Sequence, residues 1–439
     1  MHPRVLIVGT VPYNRQMSSR AFDSYFNKWE KDNLAQIFSN PNDPVHGHCG
    51  TFFQITDFRM LLRRIKKIDT GVIFYDKDLK DEWIHSSKKS NRKLISKLYG
   101  LGSRKFPLNY LLRKLLWKKK YWCTAKLNKW LDDFNPECVF LAFSDDFFIP
   151  QIALYVAEKY DIPIVSCIGD DYYFNDRWSI SPWYYIYRYS YKKLIRKVFA
   201  HGWCAAYIGN KIRDKYNEVF DLNGETVYLT SELNRHEFRP INKLNPFISY
   251  AGNIRLGRSD SLCDIASSLG RINPDYKIHV YSNETEIRYY KKLMNHPNIV
   301  YGGSIPYSKV KEIMNNSDIL LIVEGFDKKS VDITRYSLST KVADSLATGS
   351  YLLSYGSIDC GAIEYMKIID CGSVCINHEQ LEYELRKILS DVDYQKINYD
   401  KSLLISKMNH SLENSNLVFE SVVERAIANY KKGNKSEIK

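Results

Sequence analysis

A chain of 439 residues exceeds what one hydrophobic core comfortably fills, so two domains are expected. With 44% apolar residues, 14% aromatic residues and only 21 glycines, the composition excludes disordered and fibrous classes. A formal net charge of +13 leaves two anionic partners open, a lipid surface or nucleic acid, and the placement of the charge along the chain decides between them.

The chain opens on a predicted strand near 4–9, Arg4-Val-Leu-Ile-Val-Gly9, with no charged lead, long apolar segment or small-residue cleavage site before it. Further strands are expected near 71–76, 138–143, 163–168 and 226–230, and helices at 53–67 and 149–160. Apolar runs of this length suit buried parallel strands. Among them, residues 88–126 hold thirteen Lys or Arg and no Asp or Glu, as much charge as the whole net excess. Leu94, Ile95, Leu98, Leu112, Trp117 and Trp122 are interleaved with these bases, the pattern of amphipathic helices that lie on anionic lipid. No nucleic-acid motif accompanies the charge, so an anionic membrane surface is the expected partner, with a merely solvated basic face left open beside it, and nucleic acid is not expected.

Residues 181–197 also mix aromatics with bases, as in an interfacial helix or one packed on its own domain. No run approaches the roughly 18 to 20 apolar residues of a spanning helix, so membrane contact is expected to be peripheral, at the inner face. The nine cysteines form no CxxC pair, and Cys138 and Cys167 sit inside apolar runs. They read as small buried hydrophobes in a reducing compartment, which predicts a cytoplasmic location.

Pro240, Asn245 and Pro246 punctuate a polar stretch, which divides the chain into an N-terminal domain, 1–240, and a C-terminal domain, 241–411. Beyond the boundary, strands at 247–252, 276–281, 298–302, 318–323, 351–355 and 372–376 alternate with helices at 259–269, 284–294, 306–316, 339–348, 360–367 and 378–389. Strict alternation predicts a doubly wound parallel sheet, whose ligands sit beyond the carboxyl ends of the strands. A last helix at 412–431 is expected to cross back to the first domain.

Loops after strands therefore hold the candidates. Tyr250-Ala-Gly-Asn-Ile-Arg-Leu-Gly-Arg258 follows a strand and opens a helix; Gly252 and Asn253 let the backbone approach a phosphate, and Arg255 or Arg258 supplies charge. On the helix beginning at Ser339 and Thr340, Lys341 and Asp344 are three residues apart and can share a face, an ammonium for a diphosphate and a carboxylate for ribose hydroxyls. The same spacing describes a capped helix with an exposed Lys/Asp pair. In the first half, Gly9-Thr10-Val11-Pro12-Tyr13 follows the first strand. Asp170 and Asp171 follow the strand near 163–168, where adjacent carboxylates raise each other's proton affinity and can serve as base or charge stabiliser. Asp145 and Asp146 follow another strand, either as cleft residues or as the N-cap of the helix near Phe148. His46-Gly-His48-Cys49 lacks a partner pair at metal spacing, and Asp391-Val-Asp393 reads as solvated, so no metal is expected.

Three passages, in order, resemble the donor half of GT-B glycosyltransferases of the retaining capsule and O-antigen type, the group 1 or family 4-like members. They are Tyr250-Ala-Gly-Asn253, Val300-Tyr-Gly-Gly-Ser-Ile-Pro306 and Ser339-Thr-Lys341 with Asp344-Ser-Leu-Ala-Thr-Gly349. The resemblance implies two Rossmann-like domains facing across a cleft and a nucleotide-sugar donor without any further cofactor. It implies Asp344 on the ribose, Lys341 with Arg255 or Arg258 near the diphosphate, and Gly303, Ser304 and Ile305 along the base. Thr10, Tyr13 and Asp145 would face the acceptor, and Asp170 or Asp171 the reacting centre. Ser339 and Leu338 replace the family's proline, Ser350-Tyr351 its Lys-Pro, and Tyr336 stands where many members carry a second acid.

The expected function is sugar transfer to a glycan acceptor, lipid-linked, in cell-surface polysaccharide synthesis. A GT-B-fold sugar-nucleotide epimerase and a non-catalytic, membrane-associated binder of nucleotide sugar or glycan stay open beside it.

Overall fold

The computed structural model describes residues 2–13, 19–66, 68–80 and 107–436. Residues 88–106, about half of the basic segment, therefore lie outside the described residues. The chain forms two compact units, the first of Met1–Val227 with Asn416–Lys439, the second of Tyr228–Ser415. The division falls before residue 228, not at Pro240: the extended residues 228–241 pack along the second unit, where His410 Nδ1 donates to the Leu229 carbonyl at 2.8 Å and Ile241 N to Gln395 Oε1 at 3.0 Å.

The first unit is built on eight strands: β1 (Val5–Val8), β2 (Leu34–Phe38), β3 (Thr51–Ile55), β4 (Gly71–Tyr75), β5 (Cys138–Ala142), β6 (Ile164–Ile168), β7 (Cys204–Tyr207) and β8 (Glu225–Thr226). Their order is β4-β3-β2-β1-β5-β6-β7-β8, and every pair is parallel except β3 with β4. Val5 pairs with Leu34 on one side and Cys138 on the other. All four residues of β1 are buried, as a strand covered on both faces requires. Phe419 of the last helix, Leu412–Ser436, packs between Tyr25, Phe26 and Phe140 at ring distances of 5.0 to 5.6 Å.

Residues 53–55 are strand, not helix; Phe52, Phe53 and Ile55 are wholly buried in β3, and the helix begins only at Asp57. A short apolar run does not by itself separate strand from helix. Strands β2 and β7 went unpredicted for the same reason.

The second unit holds β9 (Ile248–Ala251), β10 (Ile278–Tyr281), β11 (Ile299–Gly303), β12 (Ile319–Val323), β13 (Tyr351–Tyr355) and β14 (Ser373–Cys375). All are parallel, in the order β11-β10-β9-β12-β13-β14. This is the doubly wound order in which chain direction across the sheet reverses between the first and fourth strands. The six expected helices all form, the first at Arg258–Ile272 and the fourth at Thr340–Thr348. An unpredicted helix, Val392–Asn409, follows them, and Asp391 caps it by accepting from Tyr394 N at 2.8 Å. Its hydrophobic pattern is weak because it buries polar residues, Gln395, Asn398 and Ser402.

Candidate functional site

Where strand order reverses, neighbouring connections leave on opposite faces and a crevice opens beyond the carboxyl ends. In the second unit that point lies between β9 and β12. β9 runs into Gly252-Asn253-Ile254-Arg255-Leu256-Gly257 and β12 into Glu324-Gly325-Phe326-Asp327. The two loops touch backbone to backbone, since a Cβ on Gly325 would fall 2.4 Å from the Leu256 carbonyl oxygen.

Lys341 reaches into this crevice from the first turn of its helix. Its Nζ donates to the Tyr250 hydroxyl at 2.7 Å and lies 4.3 Å from the centre of that ring. Tyr250 in turn donates to the Asn253 carbonyl at 2.5 Å, so the strand end, the loop and the helix are joined through one hydroxyl. Gly252 makes room for the amine: its φ is +149°, and a Cβ there would stand 2.4 Å from Nζ. Burial, reinforced by the nearby Arg258 guanidinium and opposed by Glu324, brings the Lys341 amine down to about 7. Lys341 thus holds its proton less firmly than an exposed amine, and an anion placed beside it would favour the charged form.

The two arginines behave differently from the sequence expectation. Arg255 is taken up by Glu284, with Nη2 to Oε1 at 2.9 Å, and by Glu286 at 2.8 Å. Arg258 is largely buried; it donates to the Val323 carbonyl at 3.2 Å and pairs with Glu324 at 2.7 Å. Arg258 therefore ties the start of its helix to the end of β12 and stands beside Lys341, whereas Arg255 serves the β10 loop.

Lys341 and Asp344 reach into different elements. Asp344 is buried and accepts from the Ser231 hydroxyl at 2.7 Å, in the extended segment that opens the second unit. Ser339 caps the helix through its side chain onto Lys341 N, at 3.4 Å, and Thr340 is its first residue. Gly303 ends β11 with φ +64° and nothing within 4 Å of its missing Cβ. Ser304 and Ile305 follow it. Two strand spacings, about 10 Å, separate β11 from β9, a reach that suits a nucleotide base. Tyr250 and Glu324 join the candidate residues here, through Lys341 and Arg258 respectively. Their signal was position, since one ends β9 and the other immediately follows β12.

In the first unit, Tyr13 is a packing residue and not an open acceptor contact. It is 3% exposed, donates to Asp23 at 2.8 Å and stacks on His48 at 4.5 Å. The Thr10 carbonyl accepts from Asn40 N at 2.8 Å. Asp171 closes its own turn: its Oδ1 accepts from Phe174 N, Tyr173 N and the Tyr216 hydroxyl, at 2.8, 3.1 and 2.7 Å. Burial raises its proton affinity against those bonds. Asp170 is exposed, with the Tyr172 hydroxyl 3.4 Å away. The helix Phe148–Tyr160 has no side-chain cap; Asp145 instead receives the Tyr110 hydroxyl at 3.2 Å, and Asp146 pairs with Arg113. The charges of Asp170, Asp145 and Asp146 all bear on the Tyr172 hydroxyl, which burial and those charges hold protonated. These carboxylates thus converge at the carboxyl ends of β5 and β6. His46 faces Asp76, with Nδ1 3.1 Å from its carboxylate.

No family model matches the chain, and no curated protein matches it in sequence. Solved structures match it over almost its whole length. HepE from Anabaena in complex with UDP gives a TM-score of 0.57 at 10% identity, covering 96% of this chain and 99% of that one. Sucrose-phosphate synthase from Thermosynechococcus elongatus gives 0.55 at 10%, covering 98% and 100%. An E. coli trehalose-6-phosphate structure bound with UDP-2-fluoro glucose gives 0.56 at 9%, covering 96% and 99%. At such identities the likeness is one of fold: two parallel-sheet α/β domains of the GT-B type.

Proposed function

We propose that the chain is a glycosyltransferase that moves a sugar from a nucleotide-activated donor, held by the second unit, to a glycan acceptor. The observation that carries this reading is Lys341, a buried amine at the reversal point of a doubly wound sheet, hydrogen-bonded to a tyrosine and facing a glycine. A diphosphate there would complete its charge, and the Gly303 loop leaves space for a base. Like-folded structures hold UDP and UDP-2-fluoro glucose, which supports the donor class. Asp344 and the Ser231 oxygen would accept from ribose hydroxyls.

We read the transfer as retaining, with the leaving diphosphate assisting the incoming hydroxyl. Asp171, committed to two donors of its own loop and to the Tyr216 hydroxyl, is then a positioning residue, and Asp170, exposed beyond β6, is the carboxylate that meets substrate. The basic segment 88–126 supports a lipid-linked acceptor at an anionic membrane surface, and with it a role in cell-surface polysaccharide synthesis.

Mass spectrometry of the chain with a panel of nucleotide sugars tests the reading. Donor hydrolysis or transfer is expected, and Lys341→Ala should weaken donor binding by about 1.5–3 kcal/mol, the worth of a charged hydrogen bond. An altered but unreleased sugar would mark an epimerase, and bare binding a non-catalytic protein. Either result overturns the proposal.

A further inference from the structure

The first unit carries exposed apolar surface that its own packing does not explain. In the loop before the helix Pro182–Gly202, Trp178 is 82% exposed and Ile180 85%. The loop is nonetheless pinned: Arg177 N donates to the Tyr184 hydroxyl at 2.8 Å and Ser179 N to the Tyr185 hydroxyl at 3.2 Å. The backbone is thereby held to the helix while the two large side chains project from it.

The helix continues the pattern. Trp183, Ile186 and Tyr189 recur at three-residue steps on its outer face, followed by Lys193 and Lys197 at four-residue steps. Its other face is fully used, with Tyr187, Tyr191, Ile195 and Val198 buried. Beside it lies the helix Pro107–Leu116, with the Tyr110 and Tyr187 rings 4.8 Å apart. There Leu108, Leu112 and Leu115 are about half exposed, and Lys118, Lys119 and Lys120 follow. Two neighbouring helices thus repeat one order, an exposed apolar stripe and then exposed lysines. Neither 107–131 nor 177–202 contains an Asp or Glu. Lys193 and Lys197 have no ion-pair partner among the described residues.

We propose that this face docks on an anionic lipid bilayer, with Trp178, Ile180, Trp183 and the leucine stripe entering the interface and the lysines holding headgroups. Tryptophan and tyrosine favour the depth where apolar and wet regions meet, and lysines beyond them favour anionic headgroups. A protein partner is disfavoured because interface cores are depleted in lysine. A second copy is disfavoured because a two-fold contact would bring like-charged lysines together. The role given to this face rests on the reading of a lipid-linked acceptor, but docking itself is measured without any sugar.

The test is flotation of the full chain with phosphatidylcholine vesicles, with and without phosphatidylglycerol, at low and high salt. Binding should require the anionic lipid and fall with salt. The double variant Trp178→Ser/Ile180→Ser should lose partitioning roughly tenfold or more. Lys193→Glu/Lys197→Glu should lose it at low salt. Circular dichroism and donor hydrolysis by these variants should match the parent chain, since the donor residues belong to the other unit. Vesicle binding that survives the double variant unchanged would assign docking to 88–106 alone and overturn the proposal. So would a parent chain that ignores anionic vesicles, or a dimer seen by light scattering that the double variant dissolves. Loss of donor hydrolysis in every preparation would sink the transferase reading while leaving the docking result to stand on its own.

Discussion

At the residue scale, Lys341 joins structure to function through its proton. Its amine is brought down to about 7 in the folded chain, from the ordinary value of 10.5, by burial first and Arg258 second. A bound diphosphate would favour the charged form, so donor binding above pH 7 should draw a proton from solvent, and affinity should decline as pH rises from 7 towards 9. Calorimetry at pH 8 in two buffers of different ionisation heat reads this directly; equal heats would refute it. Without ligand, the unfolded chain carries more protons than the folded one between 7 and 10.5, so Lys341 makes the fold more stable as pH rises through that window. Asp344→Asn keeps the shape and loses the charge. It should weaken donor binding by about 1.5–3 kcal/mol if the carboxylate meets ribose, and unchanged affinity in calorimetry would limit Asp344 to holding Ser231.

At the element scale, close approach of the β9 and β12 loops sets the crevice. Gly325→Ala would drive a Cβ into the Leu256 carbonyl and Gly257, neither of which yields without moving a loop. The cost should be about 1–3 kcal/mol in denaturant unfolding, with donor binding lost as well. Gly303→Ala meets nothing within 4 Å and pays only for its left-handed φ of +64°, about 1–2 kcal/mol. A larger loss for Gly303→Ala than for Gly325→Ala would reverse this assignment. A second device lies at the end of the helix Val392–Asn409. Buried His410 donates to the Leu229 carbonyl and accepts from the Tyr365 hydroxyl at 2.9 Å, and burial brings it down to about 4 from 6.5. Since the depressed group binds fewer protons when folded, its contribution is present above pH 6.5 and lost as pH falls towards 4, roughly 3 kcal/mol in all. Urea unfolding at pH 7 and pH 4.5 should show that loss, and His410→Gln should flatten it.

At the scale of the whole molecule, the proposed donor site belongs to the second of two units. A nucleoside diphosphate at about a hundred times its Kd adds roughly 2.7 kcal/mol to whatever binds it. In hydrogen exchange, protection should concentrate in 251–258, 324–327 and 339–344 of the second unit. Protection confined to the first unit would displace the donor site.

What the sequence determined by itself was periodicity. Six apolar runs alternating with six amphipathic stretches were enough to predict the second sheet and to single out the loops at its carboxyl ends. The partners of each charge were beyond it. Arg255 and Arg258 are three residues apart in one motif, yet one meets Glu284 and Glu286 from the β10 loop and the other Glu324 from β12. Asp171 looked like a base until Tyr216, 45 residues away, took its oxygen. Phe53 looked helical until β2 and β4 flanked it. Local pattern sets which face of an element is apolar, but hydrogen bonds and ion pairs depend on distances of about 3 Å between residues far apart in the chain, and only tertiary packing decides those.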